Sequence, residues 1–381
     1  MSHNDLEKLT IEALAIEAEQ AKQAGALGYM ARALTMATLP HKETPGNEFT
    51  RENGFFSLTI LAPSKIGLPF GSIPRLLLCW VTTEAVRTGS PVLELGPTLS
   101  GFMEEIGLAT NGRVTGGPTG NITRFRNQTV RLFSSTVSCR YSDKAVDAGL
   151  GFNIAKNYSL WWDPKSPDQF SIWKSTVTLG TDFFKEITDR PVPVDLRALK
   201  ALKRSPMALD IYCWLTHRLF YLQKTIEIPW PLLQIQFGAD YPLEGQGPRD
   251  FKKKFLYHLK KVCVIYPEAH VGEGEHGLAL KPSPPHVAAL PESSKPGERR
   301  RTAAALQRAE ATAALPPPRI GPPPLLLRTD TYEKAKKVAP GFDVYALEQD
   351  WRDWLANKEP PEHPDAAFIG FCKKKYQQVH R

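Results

Sequence analysis

An internal repeat is the feature that most limits what this chain can fold into. Leu78-Cys-Trp-Val-Thr82 matches Tyr212-Cys-Trp-Leu-Thr216, and Gly117-Pro118 matches Gly247-Pro248. The copies are 134 residues apart at the first match and 130 apart at the second. Two shorter matches fall between them in the same order: Val92–Leu95 with Ile226–Ile228, and Ile106-Gly107 with Phe237-Gly238. Matches that keep one order and nearly one separation predict two tandem domains, with Cys79 and Cys213 as core residues.

Each copy has the pattern of a helix, a short strand, a second helix, a turn, a third helix and a β-ribbon. The first copy is predicted to have helices from Ser72, at 97–106 and at 121–137, with ribbon strands Val137–Tyr141 and Gly151–Trp162. The second copy opens with a strand at Thr176–Leu179 and has helices at 206–222, 230–237 and 245–261, with ribbon strands at 264–266 and 277–281. This order predicts an α+β protein with two tandem winged-helix (helix-turn-helix plus β-ribbon) domains.

The last helix of the first copy carries side chains suited to reading DNA bases. Four residues are predicted to face outward: Arg124, Asn127, Gln128 and Arg131. Arg pairs with guanine through two hydrogen bonds, and Asn or Gln pairs with adenine in the same way. Arg126 falls toward the apolar side of the helix and is not assigned to the interface. The alternative is that these residues form an ordinary solvated helix face.

The last helix of the second copy is more basic. Phe251, Phe255, Leu259 and Val262 share its apolar face, and the opposite face carries Arg249, Lys253, Tyr257 and Lys260, flanked by Lys254 and Lys261. Lysines contact phosphates more often than they discriminate between bases, so this helix is expected to add more affinity than specificity. The flanking lysines and the ribbon near His270 are expected to contact phosphates. A solvated amphipathic helix is again the alternative.

The rest of the chain divides by composition. Residues 1–50 are predicted to form a helical arm (4–38) and a link, before domains at 51–170 and 171–287. Residues 288–330 are rich in Pro and Ala and predict a disordered linker, followed by a short helical C-terminal tail at 331–381. One stripe of the tail is predicted to bind a partner, because a short segment cannot bury two tryptophans alone: Val344, Leu347, Trp351 and Trp354. Docking of this stripe on the body of the protein is the alternative.

Composition favours a DNA-binding protein over an enzyme. The 381 residues carry a net charge of +8, which favours an anionic partner such as double-stranded DNA. The five cysteines are scattered, without the spacing of a zinc site, and no phosphate-binding glycine loop or catalytic carboxylate cluster is present. No stretch is apolar enough to span a membrane. We therefore expect a cytoplasmic protein with no catalytic residues, no metal and no cofactor.

Several motifs together resemble the RepA-type plasmid replication initiators. The resemblance covers residues 55–287 and 331–375 and implies two winged-helix domains that bind direct repeats (iterons) at a plasmid origin. It further implies opening of an adjacent AT-rich region, recruitment of the host initiator and replicative helicase, and a homodimer that represses its own promoter. The motifs are Thr123-Arg-Phe-Arg-Asn-Gln128, Ser205-Pro-Met-Ala-Leu-Asp-Ile-Tyr-Cys-Trp-Leu-Thr-His217, Ile228-Pro-Trp230, Phe237-Gly238, Arg249-Asp-Phe-Lys-Lys-Lys-Phe255, Gly341-Phe-Asp-Val-Tyr-Ala-Leu-Glu348 and Pro364-Asp-Ala-Ala-Phe-Ile-Gly370.

Two other functions are compatible with the same residues. A dimeric transcriptional repressor would use the same winged helices on an inverted repeat. A helicase loader would act through protein contacts of the tail, so that deletion of residues 330–381 would abolish function without loss of DNA affinity. A DNA-nicking enzyme is the least favoured, because no His-apolar-His pair lies near a tyrosine in the sequence.

Overall fold

The computed structural model describes two compact units, 1–318 and 319–381. The described residues are 3–108, 115, 117, 120–142, 147–161, 167–168, 175–189, 191–238, 241–287, 329–340, 344–355, 361 and 363–379. The predicted linker, 288–330, lies outside them except for residues 329 and 330.

The first unit combines helices with antiparallel sheets. Its helices are α1 (His3–Ala18), α2 (Arg32–Met36), α3 (Ser72–Thr88), α4 (Leu99–Glu105), α5 (Asn121–Phe133), α6 (Thr181–Asp189), α7 (Leu196–Leu202), α8 (Pro206–Phe220), α9 (Trp230–Phe237) and α10 (Gly247–Ile265). Its strands are β1 (Leu27–Met30), β2 (Glu48–Asn53), β3 (Phe56–Leu61), β4 (Val92–Glu94), β5 (Thr136–Ser142), β6 (Asp147–Asn153), β7 (Ala155–Ser159), β8 (Thr176–Leu179), β9 (Val192–Asp195), β10 (Ile226–Pro229), β11 (Val271–Glu273) and β12 (Gly277–Leu280).

Both copies have the strand pairing of a winged helix. In the first copy the element order is α3, β4, α4 and α5, and β4 later joins β7 and β8 in a sheet of order β4-β8-β7. In the second copy the element order is α8, β10, α9 and α10, and β10 later joins β11 and β12 in a sheet of order β10-β12-β11. In each sheet the strand between the first two helices pairs antiparallel with the last strand of the ribbon. The predicted α+β fold class is confirmed.

The cores of the two copies repeat the same aromatic contacts. A chain of three rings joins the three helices in each copy: Trp80, Phe102 and Phe125 in the first, and Trp214, Phe237 and Phe255 in the second. Neighbouring ring centroids lie between 4.7 and 5.8 Å apart. Phe102 is thus the counterpart of Phe237, whereas the sequence alignment paired Phe237 with Ile106.

The predicted ribbon of the first copy was wrong in its first strand, whereas the second predicted strand, Gly151–Trp162, contains the ribbon strand β7. The strand predicted at Val137–Tyr141 is β5, which belongs with β2, β3 and β6 to a four-stranded sheet inserted between α5 and the true ribbon. The true ribbon is β7 and β8, although the sequence pattern assigns Thr176–Leu179 to the second copy. The alternating burial of β5 shows that it is a strand, but alternation cannot identify its partner.

The predicted arm helix at 4–38 was also wrong after Ala18. The chain turns after α1 and forms β1, which pairs antiparallel with β9. Gly25 has a φ of 63°, in the left-handed region that glycine favours. A Cβ on Gly28 would lie 2.4 Å from Leu196 Cδ2, so a larger residue at this position would have to displace the Leu196 side chain.

The two winged helices share one hydrophobic core. Helices α3 and α8 pack against each other, and β1 packs on α3 while pairing with β9 of the second copy. Cys79 and Cys213 are both buried, and burial raises the pKa of the Cys79 thiol to about 12 and that of Cys213 as well. Their predicted role as core residues is confirmed.

The C-terminal unit is a small helical core of its own. It consists of α11 (Thr329–Val338), α12 (Val344–Leu355) and α13 (Pro364–Val379). Val344, Leu347 and Trp351 are only 3%, 4% and 1% exposed, and Trp351 packs against Phe368 at 5.3 Å between ring centroids. Their prediction as partner-binding residues was therefore wrong, because α13 supplies the missing cover. Trp354 remains 53% exposed.

Candidate nucleic-acid interface

The third helix of the first copy, α5, has one buried and one exposed face. Ile122, Phe125, Leu132 and Phe133 are buried in the core. Its first turn is held by Asn121, whose Oδ1 accepts a hydrogen bond from the Thr115 amide at 2.6 Å. This packing fixes which side chains can reach a ligand.

Two of the four predicted residues on α5 are exposed. The side chains of Arg124 and Asn127 both face solvent. A guanidinium and an amide one turn apart on an exposed helix can contact the edges of neighbouring bases. The structure therefore leaves both side chains accessible to a ligand.

Gln128 was wrongly predicted to face outward. It is only 6% exposed, and its Oε1 accepts a hydrogen bond from the Phe70 amide at 2.8 Å. Phe70 lies directly before the N-terminus of α3, so Gln128 attaches α5 to the first helix of its domain. A 100° rotation per residue places Gln128 at the margin of the apolar face, where sequence cannot decide between the two orientations.

Arg131 is already engaged within the protein. Its Nη2 contacts Glu43 Oε1 at 2.8 Å, and its Nη1 donates to the Leu68 carbonyl at 3.1 Å. Its guanidinium also lies over the Phe70 ring, 5.2 Å from the centroid. The structure therefore contradicts a base-reading role for Arg131, because contacts across 63–88 residues of sequence hold it in place.

Arg126 is exposed although the sequence placed it toward the apolar side. Long charged side chains at the margin of an apolar face commonly extend into water. That tendency is the signal that would have identified Arg126 as a third polar group beside Arg124 and Asn127.

The third helix of the second copy, α10, presents a basic surface. Arg249, Lys253, Lys254 and Lys260 are exposed, whereas Phe251 and Phe255 are fully buried. The predicted amphipathic division of this helix is present in the structure. Gly247, at its start, tolerates no side chain, because a Cβ there would lie 1.9 Å from the Pro242 carbonyl oxygen.

Tyr257 lies between two ammonium groups on the same helix. Lys261 Nζ is 4.7 Å from the ring centroid and Lys254 Nζ is 5.6 Å from it. All three side chains retain solvent access, and Tyr257 and Lys261 are half-buried. Cation–π contacts hold the two ammoniums in place while leaving hydrogens free to contact phosphate.

His258 is the buried counterpart of Gln128, 130 residues later. Its Nδ1 lies 2.9 Å from Ser205 Oγ, the residue that caps the N-terminus of α8. Burial lowers the pKa of His258 to about 4, and the positive charges of Lys254 and Lys261 act in the same direction. Each copy thus attaches its third helix to the start of its first helix through one buried polar side chain.

The neighbouring ribbon has polar but mixed chemistry. Lys252 pairs with Glu273 of β11 and lies over the Trp230 ring at 5.0 Å. His270, beside β11, is exposed, as is His276. Within the described ranges no group of three or more His, Cys, Asp or Glu side chains could hold a metal ion.

None of the helices in the part of the chain that the structure describes is long and apolar enough to cross a membrane.

Comparisons with known proteins identify a related family. No curated protein is significantly similar in sequence to this chain. Two crystal structures of domains 2 and 3 of RctB, one of a selenomethionine derivative, are 10% identical, each with a TM-score of 0.40. They cover 65% and 64% of this chain, and 96% and 86% of their own chains.

Residues 68–230, from the segment before α3 to the first residue of α9, match the family model described as plasmid encoded RepA protein. The resemblance to the RepA-type plasmid replication initiators is thereby confirmed over these residues.

Proposed function

We propose that this protein is a non-enzymatic, cytoplasmic initiator of plasmid replication that binds direct repeats at the plasmid origin. The observation that carries the proposal is the exposed polar or basic face on the third helix of both winged helices. In winged-helix and related helix-turn-helix proteins this helix enters the major groove. The match of residues 68–230 to plasmid-encoded RepA proteins supports the same function.

The two helices have different roles in this proposal. Arg124, Arg126 and Asn127 of α5 contact base edges and supply most of the sequence discrimination. Arg249, Lys253 and Lys260 of α10 contribute chiefly through phosphates, as do Lys254, Tyr257 and Lys261 at its side. Gln128 and Arg131 hold α5 in place and do not contact DNA.

Binding at the repeats is followed by opening of a neighbouring AT-rich segment and recruitment of the host initiator and replicative helicase. The exposed Trp354, 6.0 Å from Phe371 between ring centroids, is the part of the predicted partner stripe that remains accessible for such contacts. A dimeric repressor is the alternative function, acting through the same helices on an inverted repeat.

Plasmid maintenance and DNA binding test the proposal together. The DNA flanking the coding sequence is expected to contain several direct repeats beside an AT-rich stretch, and the full chain is expected to shift a duplex carrying one repeat. A Lys253→Ala/Lys260→Ala variant should weaken this shift and impair plasmid maintenance. Binding only to an inverted repeat, with maintenance unaffected by loss of the protein, would favour the repressor instead.

A further inference from the structure

A buried ion pair joins the first helices of the two winged-helix copies. Arg75 lies in the first turn of α3 and Asp210 lies in α8, and their side chains are 5% and 7% exposed. Arg75 Nε donates to Asp210 Oδ1 at 2.7 Å, and Nη2 donates to Oδ2 at 2.7 Å. Its remaining donors bind the carbonyl oxygens of Leu39, Pro40 and Gly71 at 2.6, 3.1 and 2.6 Å. All five Arg75 donors therefore have partners.

His41 completes the network on the other side of the carboxylate. Its Nε2 lies 2.7 Å from Asp210 Oδ2, and because an ionised carboxylate only accepts, His41 donates. Burial lowers the pKa of His41, so the imidazole stays neutral at pH 7. Burial alone would raise the pKa of Asp210, but the charge of Arg75 and bonds from His41 and Arg75 hold it below its ordinary value.

A buried ion pair of this kind fixes the relative position of α3 and α8 more than it stabilises the folded protein. Buried ion pairs recover little net free energy after desolvation, yet a buried charge without its partner is strongly unfavourable. If α3 slid or rotated against α8, the ion pair between Arg75 and Asp210 would break while both charged side chains remained buried. One arrangement of the two winged helices is therefore strongly preferred, and the β1–β9 pairing provides a second connection between them.

The same hydrogen-bonded network reaches α5 and α10, the third helices of the two copies and the recognition helices of the proposed function. Gln128 of α5 binds the amide of Phe70, whose neighbour Gly71 accepts a hydrogen bond from Arg75. On the other side, His258 of α10 bonds to Ser205, which caps the helix that carries Asp210. Hydrogen bonds thus connect α5 to α3, α3 to α8, and α8 to α10.

We propose that the Arg75–Asp210 pair, supported by His41, holds α5 and α10 in one rigid arrangement. In this arrangement the two recognition helices bind two half-sites at a single spacing only. This inference rests on the proposed DNA binding and specifies its ligand: a bipartite element with a gap of fixed length. One added base pair moves a half-site by about 3.4 Å and turns it by about 34°, since a turn of about 34–36 Å contains 10–10.5 base pairs. A rigid pair of helices cannot follow that change.

Selection from a random-sequence duplex library tests the gap, because the library contains every short sequence and the repeat need not be specified. The full chain is expected to enrich two sequence blocks separated by one fixed gap. In an Arg75→Met/Asp210→Leu variant, apolar side chains replace the buried pair, and the same blocks are expected at several gaps. Discrimination against one added base pair should fall at least fivefold, while affinity for a single block stays unchanged.

An exposed ion pair within one sheet provides the matched control. Arg140 and Asp147 join β5 to β6 at 2.6 Å, and the Arg140→Gln/Asp147→Asn variant should keep the wild-type gap. The inference is overturned if the wild type selects variable gaps, or if a folded Arg75→Met/Asp210→Leu variant keeps the fixed one. If the wild type enriches no block at all, the proposed DNA binding fails instead.

A milder variant keeps the test decisive if the double variant does not fold. His41→Gln retains the ion pair but weakens one of its supports, and it should reduce discrimination against an added base pair by a smaller, measurable factor. Unchanged discrimination in folded His41→Gln would then overturn the role of this network.

Discussion

Gln128 offers a direct comparison between the sequence-based and the structural account of α5. Substitution by Leu keeps a similar volume but removes the acceptor of the Phe70 amide. A partly buried amide left without a partner costs about 1–3 kcal/mol, and the absence of a large cavity keeps other losses small. We therefore expect the free energy of unfolding of the first unit to fall by about 1–3 kcal/mol in Gln128→Leu.

Asn127→Ala is the matched control, one residue away on the exposed face. It should change stability by no more than about 0.5 kcal/mol, but should weaken binding to the selected duplex by about 1–3 kcal/mol. Urea unfolding and equilibrium DNA titration, at a temperature where both variants are folded, measure the two quantities. A Gln128→Leu protein of unchanged stability that has lost sequence discrimination would refute the buried role and restore Gln128 to the interface.

Three further perturbations probe other parts of the molecule. In the full chain, Trp351→Ala should cost about 3–5 kcal/mol and unfold the C-terminal helices, whereas Trp354→Ala should leave their circular dichroism unchanged. Burial lowers the pKa of His217 to about 3 and that of His258 to about 4, whereas a histidine in the unfolded chain has a pKa of about 6.5. Below about pH 6.5 these two histidines therefore bind more protons in the unfolded chain than in the folded protein. Stability should therefore fall as the pH drops from about 6.5 to 4, by up to about 1.4 kcal/mol per pH unit for each histidine, as urea midpoints would show; a flat profile would contradict their burial as neutral groups. Lys260→Ala should reduce the slope of log affinity against log salt by about 0.9, and an unchanged slope would exclude a phosphate contact.

The helices of both copies and the identity of their core residues were accessible from sequence. Phe125 and Phe255 follow a helical period and are buried as expected. The ribbon of the first copy was not accessible, because the strand pairs β5–β6 and β7–β8 follow one another along the chain and the pattern within a strand does not identify its partner. Only the pairing of β8 with β4, more than 80 residues earlier, distinguishes the ribbon from the inserted sheet.

The binding residues show a similar limit. Arg124 and Asn127 lie well away from the apolar arc and are exposed, but Gln128 and Arg126 lie at its margins, where periodicity assigns each to the wrong side. Helical periodicity predicts that Arg131 is exposed, but its guanidinium forms an ion pair with Glu43, which lies far away in the sequence. Contacts between residues far apart in sequence decided the cases of Gln128 and Arg131, and helical periodicity contains no information about such contacts.

In the proposed complex with DNA, α5 and α10 each enter a major groove of the same DNA element. Methylation interference at guanine N7 on the selected duplex measures this directly, since N7 lies in the major groove. Two clusters of interfering guanines are expected, with Arg124→Ala/Asn127→Ala weakening interference in one cluster and Lys253→Ala/Lys260→Ala weakening the other. A single cluster, or two clusters that respond equally to both double variants, would contradict the assignment of one groove to each helix.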